Sequence, residues 1–168
     1  GVDVIAEYRS DFGDLGRVRW GAAYNHNETE VRNVNTVQSD AGATYDIFSH
    51  SSLGYLERGN PRDKLILAAD WTRGGWGVNL RGTQYGSVIQ PGTTVAADRE
   101  FGAKWIVDLN VDYAFANGLN WSIGANNLLD EYPDANGVVS NTGLGEYGYI
   151  SPFGVGGGYA YTRLTYAY

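Results

Sequence analysis

The chain has 168 residues, 43% of them hydrophobic, which is enough for one domain and too few for two. It carries 24 Gly, 13 Tyr, 5 Trp and no Cys, with a formal charge of -7 and a mean hydropathy of -0.33. These values exclude disulfide staples, thiolate metal sites, an apolar run long enough for a transmembrane helix, and the clustered basic surface that a nucleic-acid backbone requires. The glycine and aromatic bias favours an all-β protein of many short strands.

Alternation of apolar and polar residues then marks seven segments, each near the length of a tilted membrane-crossing strand. Val2, Val4, Ala6 and Tyr8, followed by Val18, Trp20, Ala22 and Tyr24, predict a first hairpin around Gly13, Asp14 and Leu15. The pattern opens at Gly1, Val2 and Asp3 in mid-strand, with no Met and no charged-then-apolar leader, and reads as a processed or excised piece. Roughly 33 to 62 is polar, without repeat or heptad, and is expected to lack regular structure.

Leu65, Leu67, Ala69 and Trp71 alternate against Ile66, Ala68, Asp70 and Thr72. Trp76, Val78 and Leu80 resume the pattern against Asn79, Arg81 and Thr83, and parity demands a two-residue turn at Gly74 and Gly75. After a second polar stretch, roughly 90 to 100, the odd positions from Trp105 to Phe115 are apolar while the even ones include Asp108, Asn110 and Asp112. Leu119, Trp121, Ile123 and Ala125 continue that face, which leaves Ala116, Asn117 and Gly118 as a three-residue loop with a left-handed glycine. A third extended connection, roughly 128 to 152, precedes the closing strand. There Tyr168, Tyr166, Leu164, Thr162 and Ala160 share one face, and Arg163 and Tyr161 share the other.

Short turns at one end and long loops at the other is the asymmetry of an outer-membrane barrel. A soluble lipocalin-like barrel or sandwich also alternates, so the solvent of the apolar face is decided by where the rings fall. Tyr8, Trp20, Trp71, Trp76, Tyr113, Phe115, Trp121, Tyr166 and Tyr168 lie on the apolar face, all near the short-turn end. That placement suits a membrane-water boundary, where a ring sits in acyl chains and its polar atom reaches water. Glu7, Arg9, Arg17, Arg19, Asp70, Arg81, Asp108, Asp112 and Arg163 occupy the opposite face, expected to line a wet lumen. A solvated sandwich face would explain these charges equally well. Seven strands leave two open edges, which lipid does not tolerate, so further strands outside this sequence are expected to pair with them.

The run Asn126-Asn127-Leu128-Leu129-Asp130-Glu131-Tyr132-Pro133 resembles the Asn-Leu-Phe-Asp segment on the penultimate strand of TonB-dependent outer-membrane receptors. Ser151-Pro152-Phe153-Gly154 with the terminal aromatic strand resembles that family's C-terminal signature, and Glu57 to Lys64 is similar to a stretch in some members. Leu129 stands where Phe is commoner, and Tyr168 where the final residue is usually Phe.

The resemblance implies an antiparallel transmembrane β-barrel of 22 strands closed by an N-terminal plug, of which residues 1 to 168 supply about the last seven strands and no plug. It implies active uptake of a scarce nutrient such as an iron-siderophore, coupled to the TonB complex through the missing part, in a protein integral to the bacterial outer membrane. The expected partners are the remaining barrel strands and plug, outer-membrane lipids, the barrel assembly machinery and a small-molecule substrate. Leu164, Tyr166 and Tyr168 fit the C-terminal assembly signal. Substrate contacts are expected from the loop residues Tyr45, Phe48, Tyr55, Tyr132 and Tyr147 and from lumen-facing Arg81 and Tyr85. A passive pore or adhesin barrel and a small soluble ligand-binding β-barrel are the competing readings.

Other chemistry is weakly signalled. His26 and His50 stand alone without metal-ligand spacing, and Gly156, Gly157 and Gly158 lack the Lys and helix of a phosphate loop. Asp130, Glu131 and Asp134 fit a solvated loop better than a calcium site. No nucleophile, base and acid stand in a catalytic arrangement, so neither an enzyme nor a cofactor is expected.

Overall fold

The structure, a computed structural model, describes residues 1–136 and 146–167. Its main feature is one open antiparallel sheet of seven strands in sequence order: β1 (Val2–Asp11), β2 (Arg17–His26), β5 (Asp63–Arg73), β6 (Trp76–Tyr85), β9 (Lys104–Ala114), β10 (Leu119–Asn126) and β11 (Tyr159–Tyr166). Each strand pairs with its neighbours in the sheet, and β1 and β11 are the two edges.

Turn chemistry sets the registers. Gly74, at φ 55°, lets a two-residue turn put Arg73 opposite Trp76. Gly118, at φ 86°, closes the three-residue loop in which Phe115 and Leu119 face each other. A single 3-10 turn, Gly13–Leu15, joins β1 to β2.

The long connections are more ordered than their composition predicts. The expectation that they lack regular structure is corrected. The first holds a small hairpin, β3 (Thr36–Gln38) with β4 (Thr44–Asp46), and a nine-residue helix α1 (His50–Arg58). The second holds β7 (Val88–Gln90) paired with β8 (Arg99–Phe101). Ser49 caps α1 by accepting the Ser52 N–H at 3.2 Å, and Arg58 sits in its last turn, where a cation favours the helix dipole. The helix is too short to stand on its own, so docking on the second connection sustains it. There Gly54 lies so close to Pro91 that an added Cβ would sit 2.6 Å from the proline Cβ.

Large apolar side chains of the sheet stand exposed: Trp20, Ile123 and Leu164 on the apolar face are 44%, 50% and 66% exposed. The buried hydrophobic side chains among the described residues are Val88 and Phe101, paired within the second connection, and Ile106 on β9. The sheet is therefore greasy on its outward face, and its small core lies at the long-loop end.

Candidate functional site

The polar face forms a connected wall. Arg19 donates to Asp70 Oδ2 from Nε at 3.1 Å and Nη2 at 2.9 Å, and Asn79 donates to the other oxygen of the same carboxylate. One ladder further, Arg81 grips Asp108, and Tyr161 donates to Asn110 Oδ1 at 3.2 Å. Arg17 pairs with Asp11 at the short-turn end, where both are exposed. The charges predicted for the lumen thus share one face, and several pair across neighbouring strands. Such pairs are weak in stability terms but keep a wet wall ordered.

The apolar face carries its rings along a slanted line. Following cross-strand partners from Tyr8 leads to Trp20, Ala69, Leu80, Leu109, Ala125 and finally Ala160. The ring near the short-turn end of β11 is Tyr166, six residues beyond Ala160 after six strand steps. Between these ends Trp71 stands two residues below the Tyr8 ladder, Trp76, Tyr113 and Trp121 share one ladder two residues lower again, and Phe115 lies lower still, with Trp76 and Tyr113 4.8 Å apart and Tyr113 and Phe115 4.7 Å apart. Six residues over six strands average one per strand, which at ~3.3 Å rise and ~4.8 Å spacing is a slope of about 35°, the tilt of barrel strands. Rings that stagger along the ladders therefore stand at one level once the strands are tilted. Tyr168 lies outside the described residues.

A second level runs near the long loops. On β5, Asp63 is eight residues from Trp71, and on β9, Trp105 is eight residues from Tyr113. Asp63 accepts from Tyr24 Oη and faces His26 Nδ1 at 2.8 Å, so three polar side chains gather on the outward face here. Between the levels, the outward residues of β5 and β9 are Leu65, Leu67, Ala69, Val107, Leu109 and Val111. With the same rise and slope, the levels are about 22 Å apart.

The residues predicted to touch substrate separate into small groups. Tyr132 and Tyr147 stack at 5.3 Å, Tyr55 faces Tyr149, and Tyr85 lies 5.8 Å from Phe153 with Lys64 Nζ over its ring. Arg81 and Tyr85 point to the polar face, while Tyr45 and Phe48 are exposed, 55% and 45%, on the first connection. Tyr149 and Phe153 were missed because the glycine-rich approach to the last strand hides any periodicity.

Two loop devices also escaped the sequence reading. Asp98, whose side chain is 11% exposed, meets His50 Nε2 at 2.7 Å and Arg58 Nη2 at 2.9 Å and accepts the Gly92 N–H at 3.0 Å. The His50 contact, with Gly92 and Arg58, holds this carboxyl below its ordinary value although burial pushes it up. Asn127, at φ 50°, closes the turn after β10 by donating to Glu131 O at 2.7 Å and accepting from Glu131 N at 3.0 Å. Asp130 Oδ1 accepts from Gly158 N at 2.8 Å. The Asn-Asn-Leu-Leu-Asp run is thus a turn that fixes the approach to the last strand. Asp134 is engaged by Gly102 N and Lys104, which lower its carboxyl. Among the described residues no three His, Asp or Glu side chains gather as a metal site.

A crystal structure of a ferric enterobactin receptor mutant (G324V) from Pseudomonas aeruginosa superposes on 98% of this chain with a TM-score of 0.57 at 18% identity. The fold is that of a segment of a β-barrel. The chain spans 22% of that receptor's length, and its open sheet agrees with a partial barrel. No family profile and no curated protein match the sequence. The antiparallel, all-β architecture expected from alternation is therefore present.

Proposed function

We propose that this chain is the C-terminal portion of the barrel of an outer-membrane active transporter, one that takes up a scarce nutrient such as an iron-siderophore with energy from TonB. The observation that carries the membrane part is the spacing of the two outward levels. About 22 Å of apolar side chains on β5 and β9 lies between the ring line near the short turns and, toward the long loops, the polar cluster at Asp63 on β5 and Trp105 on β9. That nearly matches the ~25 Å apolar band of an outer-membrane barrel. The exposed apolar face and the ion-paired inner wall support the same reading. The transport part is supported by the structural likeness to a ferric enterobactin receptor and by the Asn-Asn-Leu-Leu-Asp and Ser-Pro-Phe-Gly segments.

On this reading the partners are the remaining strands and plug, outer-membrane lipids, a TonB contact made outside this chain, and an assembly machinery that reads Leu164, Tyr166 and Tyr168. The aromatic pairs Tyr132 with Tyr147 and Tyr55 with Tyr149 are the first loop residues to substitute in search of substrate contacts.

The test uses iron-starved cells carrying the full-length protein. Uptake of a radiolabelled ferric chelate is expected to depend on the gene and to stop when a protonophore collapses the inner-membrane gradient. Gene-dependent uptake that survives the protonophore would favour the passive pore, and a folded protein that stays dispersed without detergent would favour a soluble ligand-binding barrel.

A further inference from the structure

The formal charge is not spread evenly along the chain. The seven long strands and their tight turns hold eight acidic and eight basic residues, so as a set they are neutral. The three long connections, 27–62, 86–103 and 127–158, hold the other eleven acids and four bases, and therefore carry the whole charge of -7. The last of them has Asp130, Glu131, Asp134 and Glu146 and no Lys or Arg. All three leave the sheet at the same end, opposite the tight turns.

Pairing sharpens the imbalance. Arg32 pairs with Glu30, Arg58 with Asp98 and Arg62 with Glu28, while Asp134 pairs with Lys104 of β9. Asp40, Asp46, Glu100 and Glu146 stand exposed, with no ion pair among the described residues. Carboxylates that nothing neutralises set the sign of the field a ligand meets on approach. A field of one sign speeds the arrival of the opposite charge by about 10- to 1000-fold at low salt and opposes its own sign.

Rings stand next to these acids. Tyr45 precedes Asp46, Tyr132 follows Glu131, and Tyr147, stacked on Tyr132 at 5.3 Å, follows Glu146. The face of such a ring attracts a cation and repels an anion. The wall shows this once with a residue of its own, because Lys64 Nζ sits over the Tyr85 ring, 5.0 Å from its centroid, at the long-loop end of β5 and β6. Carboxylates and ring faces thus favour the same ligand chemistry.

We propose that the long connections guide a positively charged substrate, a ferric chelate bearing a free ammonium group, and turn away polyanionic chelates. The inference rests on the transport reading and names the substrate class within it.

The experiment uses iron-starved cells carrying the full-length protein and radiolabelled ferrioxamine B as the free amine, the N-acetyl form and the N-succinyl form. These share one ferric tris-hydroxamate core and differ in charge, which is positive, neutral and negative in turn. Gene-dependent initial uptake at low ionic strength is expected to fall at least about fivefold from the amine to the succinyl form, and added salt should narrow the gap. Asp40→Asn, Asp46→Asn, Glu100→Gln and Glu146→Gln combined should slow uptake of the amine at least about threefold and quicken that of the succinyl form. Heat-modifiable mobility on gels checks that the variant is folded and present in equal amount. A folded variant that shifts both forms by the same factor would overturn the proposal, as would uptake of none of the three. Gene-dependent, protonophore-sensitive uptake that favours the succinyl form would overturn it too and leave the transport reading standing. Uptake that survives the protonophore would instead sink the transport reading itself.

Discussion

Arg81 donates from Nε at 3.2 Å and from Nη2 at 2.7 Å to a single oxygen of Asp108, Oδ2, across the β6 and β9 ladder. The other oxygen, Oδ1, accepts the Asn127 N–H at 2.9 Å. One carboxylate therefore ties the inner wall to the turn that leads toward the last strand. Asp108→Ala is expected to destabilise the barrel by about 1 to 3 kcal/mol, because it orphans a half-buried amide as well as the guanidinium. Arg81→Ala should cost less, since the guanidinium side is 51% exposed. A double-mutant cycle in urea measures the split, and equal single-variant losses would contradict it.

Asn127 is held at φ 50°, a left-handed conformation that asparagine tolerates and most residues do not. Asn127→Gly keeps the backbone but loses both bonds to Glu131, and Asn127→Ala loses the bonds and adds strain of about 1 to 2 kcal/mol. The alanine variant should unfold at lower urea than the glycine variant. The reverse order would show that left-handed backbone strain at this position does not set the stability.

Adjacent positions on β10 distinguish the two faces. Ile123 is outward and 50% exposed, whereas Ser122 is inward and opposite Asp112. In vesicles, Ile123→Arg is expected to destabilise the barrel by about 2 to 4 kcal/mol if near mid-depth, and Ser122→Arg by much less. Refolding into lipid at a series of urea concentrations gives both values.

Asp98 makes the docking of α1 depend on acid. Its carboxyl titrates below the ordinary 3.8, held there first by His50, so its contribution is present above that ordinary value and disappears as pH falls through the lower folded one. Amide protection in α1, corrected for intrinsic exchange, should stay level from neutral pH down to the ordinary carboxylate range and then drop. Asp98→Asn should lack the protection at every pH, and a flat acid profile in the unaltered protein would refute the role.

The seven long strands and their tight turns could be read directly, because a period of two is explicit in stretches such as Trp105 to Phe115 and parity leaves only one loop length between them. Helix α1 could not, because His50 to Arg58 has no apolar stripe at helical spacing and takes its support from Pro91 and Asp98 on another connection. The aromatic band was visible as a set of residues near the short turns. Its slant was not, since the six-residue offset between Ala160 and Tyr166 exists only once every strand has been paired.

That offset means that a hydrogen-bond partner is not a neighbour in depth. Leu80 pairs with Ala69, yet it sits four residues from Trp76, the ring on its own strand, whereas Ala69 sits two from Trp71. Chimeras that splice strands from another barrel into this wall must be aligned ring to ring, counting one residue of drift for each strand passed. A splice aligned only on amide partners would join every ladder correctly and still leave its indoles submerged or stranded in water.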